Sequence, residues 1–365
     1  MDYPEPTYLE DEFIFQWEAL DMQLVFARFF EDKGDLKANV QPSNISDAGT
    51  LPPEKLNLDS ARSMKTYANT LGGYGLLEAA DWFEALTQAC KLARKRYDEG
   101  EPAVVLSEVS WRGTPAFLIS PYVTQHGTTI LFGDGGVSKS LHALALGVMV
   151  ATGSAVVPDC SVEHPANVLY IDYEADAGTH AERLEGLCAG ANITTPDNVH
   201  YMRRVASIGE SVREVRKHIA LNEIGFVIVD SIGAASGGDP EKADTVIRAF
   251  NAMRAFEVPV LAIHHVTKDQ RDKTKPFGSV FAPNLARLTW ALSKEQDAGA
   301  DVIRVRLTNH KANFGRLSES RGHAVRFEQD DEGFATIFFE YASFSSLPPI
   351  NQASGVKYAL VKALQ

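Results

Sequence analysis

Between residues 128 and 264, short apolar runs alternate with longer stretches whose apolar positions recur three and four residues apart. The runs predict strands at 128–132, 167–173, 199–203, 225–230 and 258–264. The stretches between them predict helices at 139–152, 176–188, 210–221 and 240–256. Phe226-Val227-Ile228-Val229 has no polar alternation, as expected of a central parallel strand covered on both faces. After residue 279 the long helical stretches stop, and runs at 288–292, 302–307, 323–327 and 335–339 predict an antiparallel extension. The fold class is therefore α/β, a mostly parallel central sheet flanked by helices.

The beginning of the chain follows another pattern. Leu76, Leu77, Ala80, Trp82, Phe83, Leu86, Ala89, Cys90 and Leu92 give 71–97 a helical period, and Pro, Ser, Asn and Gly crowd 41–53 into a loop or linker. Acids outnumber bases about three to one over the first sixty residues. These features predict a small, mostly helical N-terminal domain over 1–101, a main domain over 102–345, and a linker with a short helix over 346–365. The apolar face of the helical domain either docks on the main domain or receives a protein partner.

Composition narrows the function. The 365 residues carry a net charge of −13, so contact with nucleic acid must come from a local basic patch. Cys90, Cys160 and Cys188 are dispersed and odd in number, which predicts a reducing, cytoplasmic setting without a disulfide framework. The start Met1-Asp2-Tyr3-Pro4-Glu5 lacks the basic and apolar regions of a signal peptide. The apolar run 141–158 contains His142, Thr152 and Ser154 and follows a glycine turn directly, so it reads as a helix under a sheet and not as a membrane span.

That turn carries the chemistry. Gly133-Asp134-Gly135-Gly136-Val137-Ser138-Lys139-Ser140 joins an apolar strand to a helix, as a phosphate-binding loop does. Its backbone N–H groups and the positive helix end would cradle phosphate oxygens, Lys139 would reach the β- and γ-phosphates, and Ser140 would offer its hydroxyl to Mg²⁺. Ser138 departs from the consensus glycine before the lysine, and a left-handed backbone there costs roughly 1–2 kcal/mol. Asp230 ends a buried strand about ninety residues later, where it would hold the metal shell through water. Asp172 and Glu174 end another strand on the same face, and Glu174, nearer the end, is the candidate to polarise a water; the other reading makes it a cap for the following helix. His264, His265 and Lys268 follow a further strand as candidate γ-phosphate sensors, and adjacent histidines on a strand point to opposite sides.

Together these residues make the chain resemble the RecA-type P-loop ATPases, and among them the RepA-like hexameric helicases, over about residues 121–341. The resemblance implies a RecA-like core, ATP and Mg²⁺, and Glu174 as the residue that activates water. It implies that His264, His265 and Lys268 sense the γ-phosphate, and that Arg287 is an arginine finger delivered to a neighbouring subunit. It further implies a ring of like subunits, most often a hexamer. DnaB-like relatives carry Lys-x-Arg near the domain's end, whereas this chain has Lys311-Ala312-Asn313, which favours Arg287. The loop after the sensor strand holds Arg271, Lys273 and Lys275, placed by the resemblance at a channel for single-stranded DNA; Asp269 and Asp272 support a merely solvated loop equally well.

The expected function is an ATP-dependent motor or switch acting on single-stranded DNA in replication or repair. Two alternatives stand beside it. One is a slow nucleotide-dependent interaction protein whose site is damped by Ser138; the other is a non-unwinding ATPase of the recombination-mediator or KaiC type.

Overall fold

The computed structural model describes residues 3–8, 12–46, 49–100, 103–109, 116–239, 242–266, 281–296 and 299–343. The expected terminal helix at 355–365 and the residues Lys268, Arg271, Lys273 and Lys275 lie outside these described residues. The chain divides into two compact units, Met1–Arg112 and Gly113–Gln365.

The first unit is built on a sheet, which corrects the expectation of a mostly helical domain. Strands β1 (Glu5–Tyr8), β2 (Glu12–Trp17), β3 (Met22–Asp32), β4 (Asp35–Asn44) and β5 (Glu54–Asn57) pair antiparallel in sequence order. Helices α1 (Ala61–Gly72) and α2 (Ala79–Glu99) follow. The sheet has a clear physical origin in a period of two: Phe13, Phe15 and Trp17, then Met22, Leu24 and Phe26, then Leu36, Ala38 and Val40 are buried, with more polar residues between many of them. Acids such as Glu12, Glu31, Asp32, Asp35 and Glu54 stand at the strand ends, so each alternating run is short. The buried side chains join Met64, Tyr67, Leu71, Trp82, Leu86 and Cys90 of the helices in one core. The region read as a loop begins inside β4. Pro42 pairs with Leu24 there, and its carbonyl accepts the Leu51 N–H on the other side, beyond the end of β5.

The second unit matches the expected α/β architecture. Its strands are β6 (Phe117–Ser120), β7 (Val123–Thr124), β8 (Thr128–Gly133), β9 (Ser161–Val162), β10 (Asn167–Asp172), β11 (Val199–Arg203), β12 (Ile224–Asp230), β13 (Val260–His265), β14 (Leu288–Glu295), β15 (Val302–Ala312), β16 (Arg321–Gln329) and β17 (Ala335–Tyr341). Its helices are α3 (Lys139–Thr152), α4 (Ala177–Ala191), α5 (Ile208–Leu221), α6 (Ile232–Ala235), α7 (Ala243–Arg254) and α8 (Phe281–Leu285). The main sheet runs β11-β10-β12-β13-β8-β14-β15-β16-β17. The first six strands in that order are parallel, and β15 to β17 continue antiparallel. The run at 288–292 therefore joins the parallel part beside β8, and only the later three strands form the antiparallel extension. A small sheet of β7, β6 and β9 had no clear sequence signal.

The parallel strands are covered on both faces. Val168, Tyr170, Phe226, Ile228, Leu261 and Ile263 pack into the core with α3. Leu169, Ile171, Val227, Val229, Val260 and Ala262 pack into a second core with α5 and α7. Hence the runs are apolar without alternation. In α3 every residue from Leu141 to Ala151 is buried, which fits a helix under a sheet, and no described helix is long and apolar enough to cross a membrane. Gly186 and Gly190, one turn apart on α4, lie so close to the β17 carbonyls of Ala335 and Ile337 that neither position has room for a Cβ. Gly190→Ala should therefore lower stability by about 1–3 kcal/mol through overpacking, seen as a lower urea midpoint. An unchanged midpoint would show that α4 does not depend on this approach.

Candidate functional site

The site forms where the parallel strands end. Residues 133–138 leave β8 and turn into α3. Gly133 is needed because a Cβ there would sit 2.5 Å from the Leu292 carbonyl oxygen of β14. Gly136 (φ 71°) and Ser138 (φ 66°, ψ 27°) are both left-handed, so Ser138 takes the conformation for which glycine is usually kept. Lys139 is buried, and its ammonium donates to the carbonyls of Gly133 (3.0 Å) and Asp134 (2.8 Å), which ties the loop into a closed turn. Burial pushes its pKa down, and the charges of Asp230, Glu174 and Asp134 oppose that shift.

Beside the loop, β13 separates β8 from β12, so the ends of three strands converge. Asp230 closes β12. Its carboxylate accepts hydrogen bonds from Ser140 and from the Tyr170 hydroxyl at 2.8 Å. Burial raises its pKa, although both hydrogen bonds favour the ionised form. Ser140 and Asp230 thus bring two oxygen donors together, the donor type that Mg²⁺ prefers.

Glu174 follows the end of β10. Its Oε1 accepts from Ser231 Oγ at 2.5 Å and lies 3.3 Å from His265 Nε2. Hydrogen bonding from His265 first, and then from Ser231, outweighs partial burial and holds the pKa down at about 2. Glu174 does not cap α4; Asp176 does, accepting from Thr179 N at 3.0 Å. Asp172, by contrast, is wholly buried and fully engaged. It accepts the backbone N–H groups of Glu174 (2.9 Å) and Ala175 (3.2 Å) and the Tyr201 hydroxyl (2.9 Å). His180 Nε2 lies 3.2 Å from its Oδ2. One strand-end acid therefore shapes the turn and the other is presented to the cleft.

The two histidines part as strand geometry requires. His265 reaches the cleft and Glu174, while the buried His264 accepts the His265 N–H at its Nδ1. Burial lowers the pKa of His264 to about 4, and His265 and Lys139 add to the shift. Arg287 is not in this cleft. It precedes β14, and its N–H donates to Thr128 O at the opposite end of β8 from the loop. Lys311 lies near it, donating to the carbonyls of Pro283, Asn284 and Ala286.

A cavity of about 300 Å³ is lined by Gly136, Lys139, Ser140, Glu174, Asp230 and His265 among others. Two further cations stand here that the sequence reading missed. Arg183 of α4 lines the cavity, and Lys294 of β14 lies with Nζ 3.6 Å from where a Cβ on Gly136 would be. Arg183 comes to the cleft through the packing of α4, and Lys294 through the pairing of β14 with β8.

A glycine-rich turn thus leads from β8 into the buried α3, and β13 is inserted between β8 and β12. Residues 99–271 match the model of the AAA domain family. A KaiC-like protein from the hyperthermophilic archaeon Pyrococcus horikoshii is among the similar solved structures, with 12% identity, a TM-score of 0.40, and coverage of 61% of this chain and 93% of that one. No match was found among curated proteins.

The depressed pKa of Glu174 has a measurable consequence. Its stabilising contribution is complete above the ordinary value of 4.5 and is lost as pH falls towards 2. Carbon-13 NMR of the Glu174 carboxyl should give a midpoint near 2. Ser231→Ala with His265→Leu should move that midpoint up towards 4.5. A wild-type midpoint already at 4.5 would remove the contacts from the account.

Proposed function

We propose that the chain binds and hydrolyses ATP with Mg²⁺, and that hydrolysis drives a motor or switch acting on single-stranded DNA in replication or repair. The observation that carries the reading is the meeting of Lys139, the Ser140–Asp230 pair and Glu174 around one cavity. The loop amides and Lys139 neutralise the phosphates. Ser140 and Asp230 would hold Mg²⁺, which would supply positive charge beside the transferred phosphoryl group. Glu174, ionised at neutral pH, orients the attacking water by accepting its hydrogen bond. It is too weak a base to remove the proton ahead of bond formation. His265, touching Glu174, couples the γ-phosphate to the end of β13.

Arg287 lies at the far end of the strands, so it acts on a neighbouring copy. This fits the ring, most often a hexamer, that the family resemblance implies. In this reading His264 steadies His265 from the opposite face of β13, while Lys268, Arg271, Lys273 and Lys275 carry the response to the γ-phosphate and the grip on DNA. The N-terminal unit receives a protein partner. A second reading, the slow switch, is favoured by Ser138 at φ 66° and by a Glu174 already bound to Ser231 and His265.

Steady-state ATP hydrolysis with and without single-stranded DNA tests the proposal. DNA should stimulate turnover. Glu174→Gln should reduce turnover by roughly 10²–10⁴-fold while ATP still binds. Alanine at Arg271, Lys273 and Lys275 together should abolish the stimulation. Undiminished turnover in Glu174→Gln would overturn the catalytic assignment, and an intact DNA response in the triple variant would overturn the DNA assignment. Tight ATP binding with DNA-insensitive turnover would favour the slow switch.

A further inference from the structure

Ser138 occupies a left-handed position, φ 66° and ψ 27°, directly before Lys139. A residue with a Cβ resists that conformation, so something must hold it. Four residues on, His142 is almost completely buried. Its Nδ1 donates to Ser138 O at 2.9 Å, and its backbone N–H donates to the same oxygen at 2.9 Å. Burial pushes the imidazole pKa down to about 4, so at neutral pH the ring carries one proton. The carbonyl fixes that proton on Nδ1, and Nε2 has no partner among the described residues.

The ring is also clamped. His323 of β16 stacks parallel to it, with centroids 5.7 Å apart and 12° between planes. Phe339 of β17 meets it edge-on at 4.9 Å. His323 is itself tied to the Tyr122 hydroxyl at 3.1 Å. The antiparallel extension thereby packs against the imidazole through one residue from each of two strands.

We propose that His142 is a positioning residue for the phosphate loop. Clamped by His323 and Phe339, it holds Ser138 left-handed, so that the loop keeps its shape without a glycine before the lysine. The purpose of this device rests on the nucleotide-binding reading above; its geometry does not. A histidine that merely filled the core would be equally costly to remove whichever residue stood at 138. A positioning histidine matters only while a side chain stands there.

The test is a double-mutant cycle in the full chain: wild type, His142→Leu, Ser138→Gly and the double variant. His142→Asn is added as a conservative rescue, since its amide nitrogen reaches the place of Nδ1. Hydrogen exchange of the loop amides at 134–140, measured without nucleotide, reads the positioning directly. Binding of a fluorescent ATP analogue with Mg²⁺ reads its use. His142→Leu should raise loop exchange and weaken analogue binding by roughly three- to tenfold, the scale of one buried hydrogen bond. With Ser138→Gly present most of that effect should vanish, and His142→Asn should exchange like wild type. Equal effects of His142→Leu in both backgrounds would overturn the proposal, as would no effect in either. If His142→Leu does not fold, His142→Asn decides: wild-type exchange supports the proposal and raised exchange overturns it. Coupled exchange in a wild-type chain that binds no analogue would sink the nucleotide reading and leave the positioning intact.

Discussion

The chain must leave β8 and enter α3 within five residues, and it turns through two left-handed positions, Gly136 at φ 71° and Ser138 at φ 66°. The placing of Lys139 and Ser140 depends on that reversal. It lets Lys139 fold back onto the carbonyls of Gly133 and Asp134. It sets Ser140 against Asp230. At Gly133 the turn starts with no room for a Cβ beneath β14. A buried α3 holds it from behind.

The sheet order supplies the rest. Because β13 lies between β8 and β12, His265, Asp230 and Glu174 come to one end of the sheet from three different strand ends. Their environments then separate their roles. Burial raises Asp230, whose lone pairs meet Ser140 and Tyr170, while hydrogen bonds from His265 and Ser231 hold Glu174 ionised. Asp172, only two residues before Glu174, is spent on the backbone of the turn. Two carboxylates of like sequence context thus have different work, a difference made by burial and partners.

Where one physical signal dominated, the sequence was readable. Apolar runs of four to six residues marked β8, β10, β12 and β13 because both faces of those strands are covered. The turn from β8 into α3 was legible because a glycine-rich stretch stands between an apolar run and a helical one. The divergence of His264 and His265 followed from strand alternation alone. The N-terminal sheet was lost because its alternation lies among acidic residues and a Pro-rich stretch, whereas the helical period of α2 is strong. Arg183 and Lys294 could not be placed in the cleft from spacing, since each reaches it through tertiary packing. The contact of His142 with Ser138 was hidden for another reason: a histidine inside an apolar helix reads as ordinary core.

The central claim is that the turn at 133–140 is a working phosphate site whose metal partner is Asp230. Calorimetric titration of the full chain with ATP, with and without Mg²⁺, tests it most directly. The account predicts Mg²⁺-dependent binding that weakens by roughly a hundredfold in Lys139→Ala, because a charged donor to phosphate is lost. It also predicts that Asp230→Asn loses the Mg²⁺ dependence while Mg²⁺-free binding stays. Wild-type affinity in Lys139→Ala, or an unchanged Mg²⁺ dependence in Asp230→Asn, would contradict it.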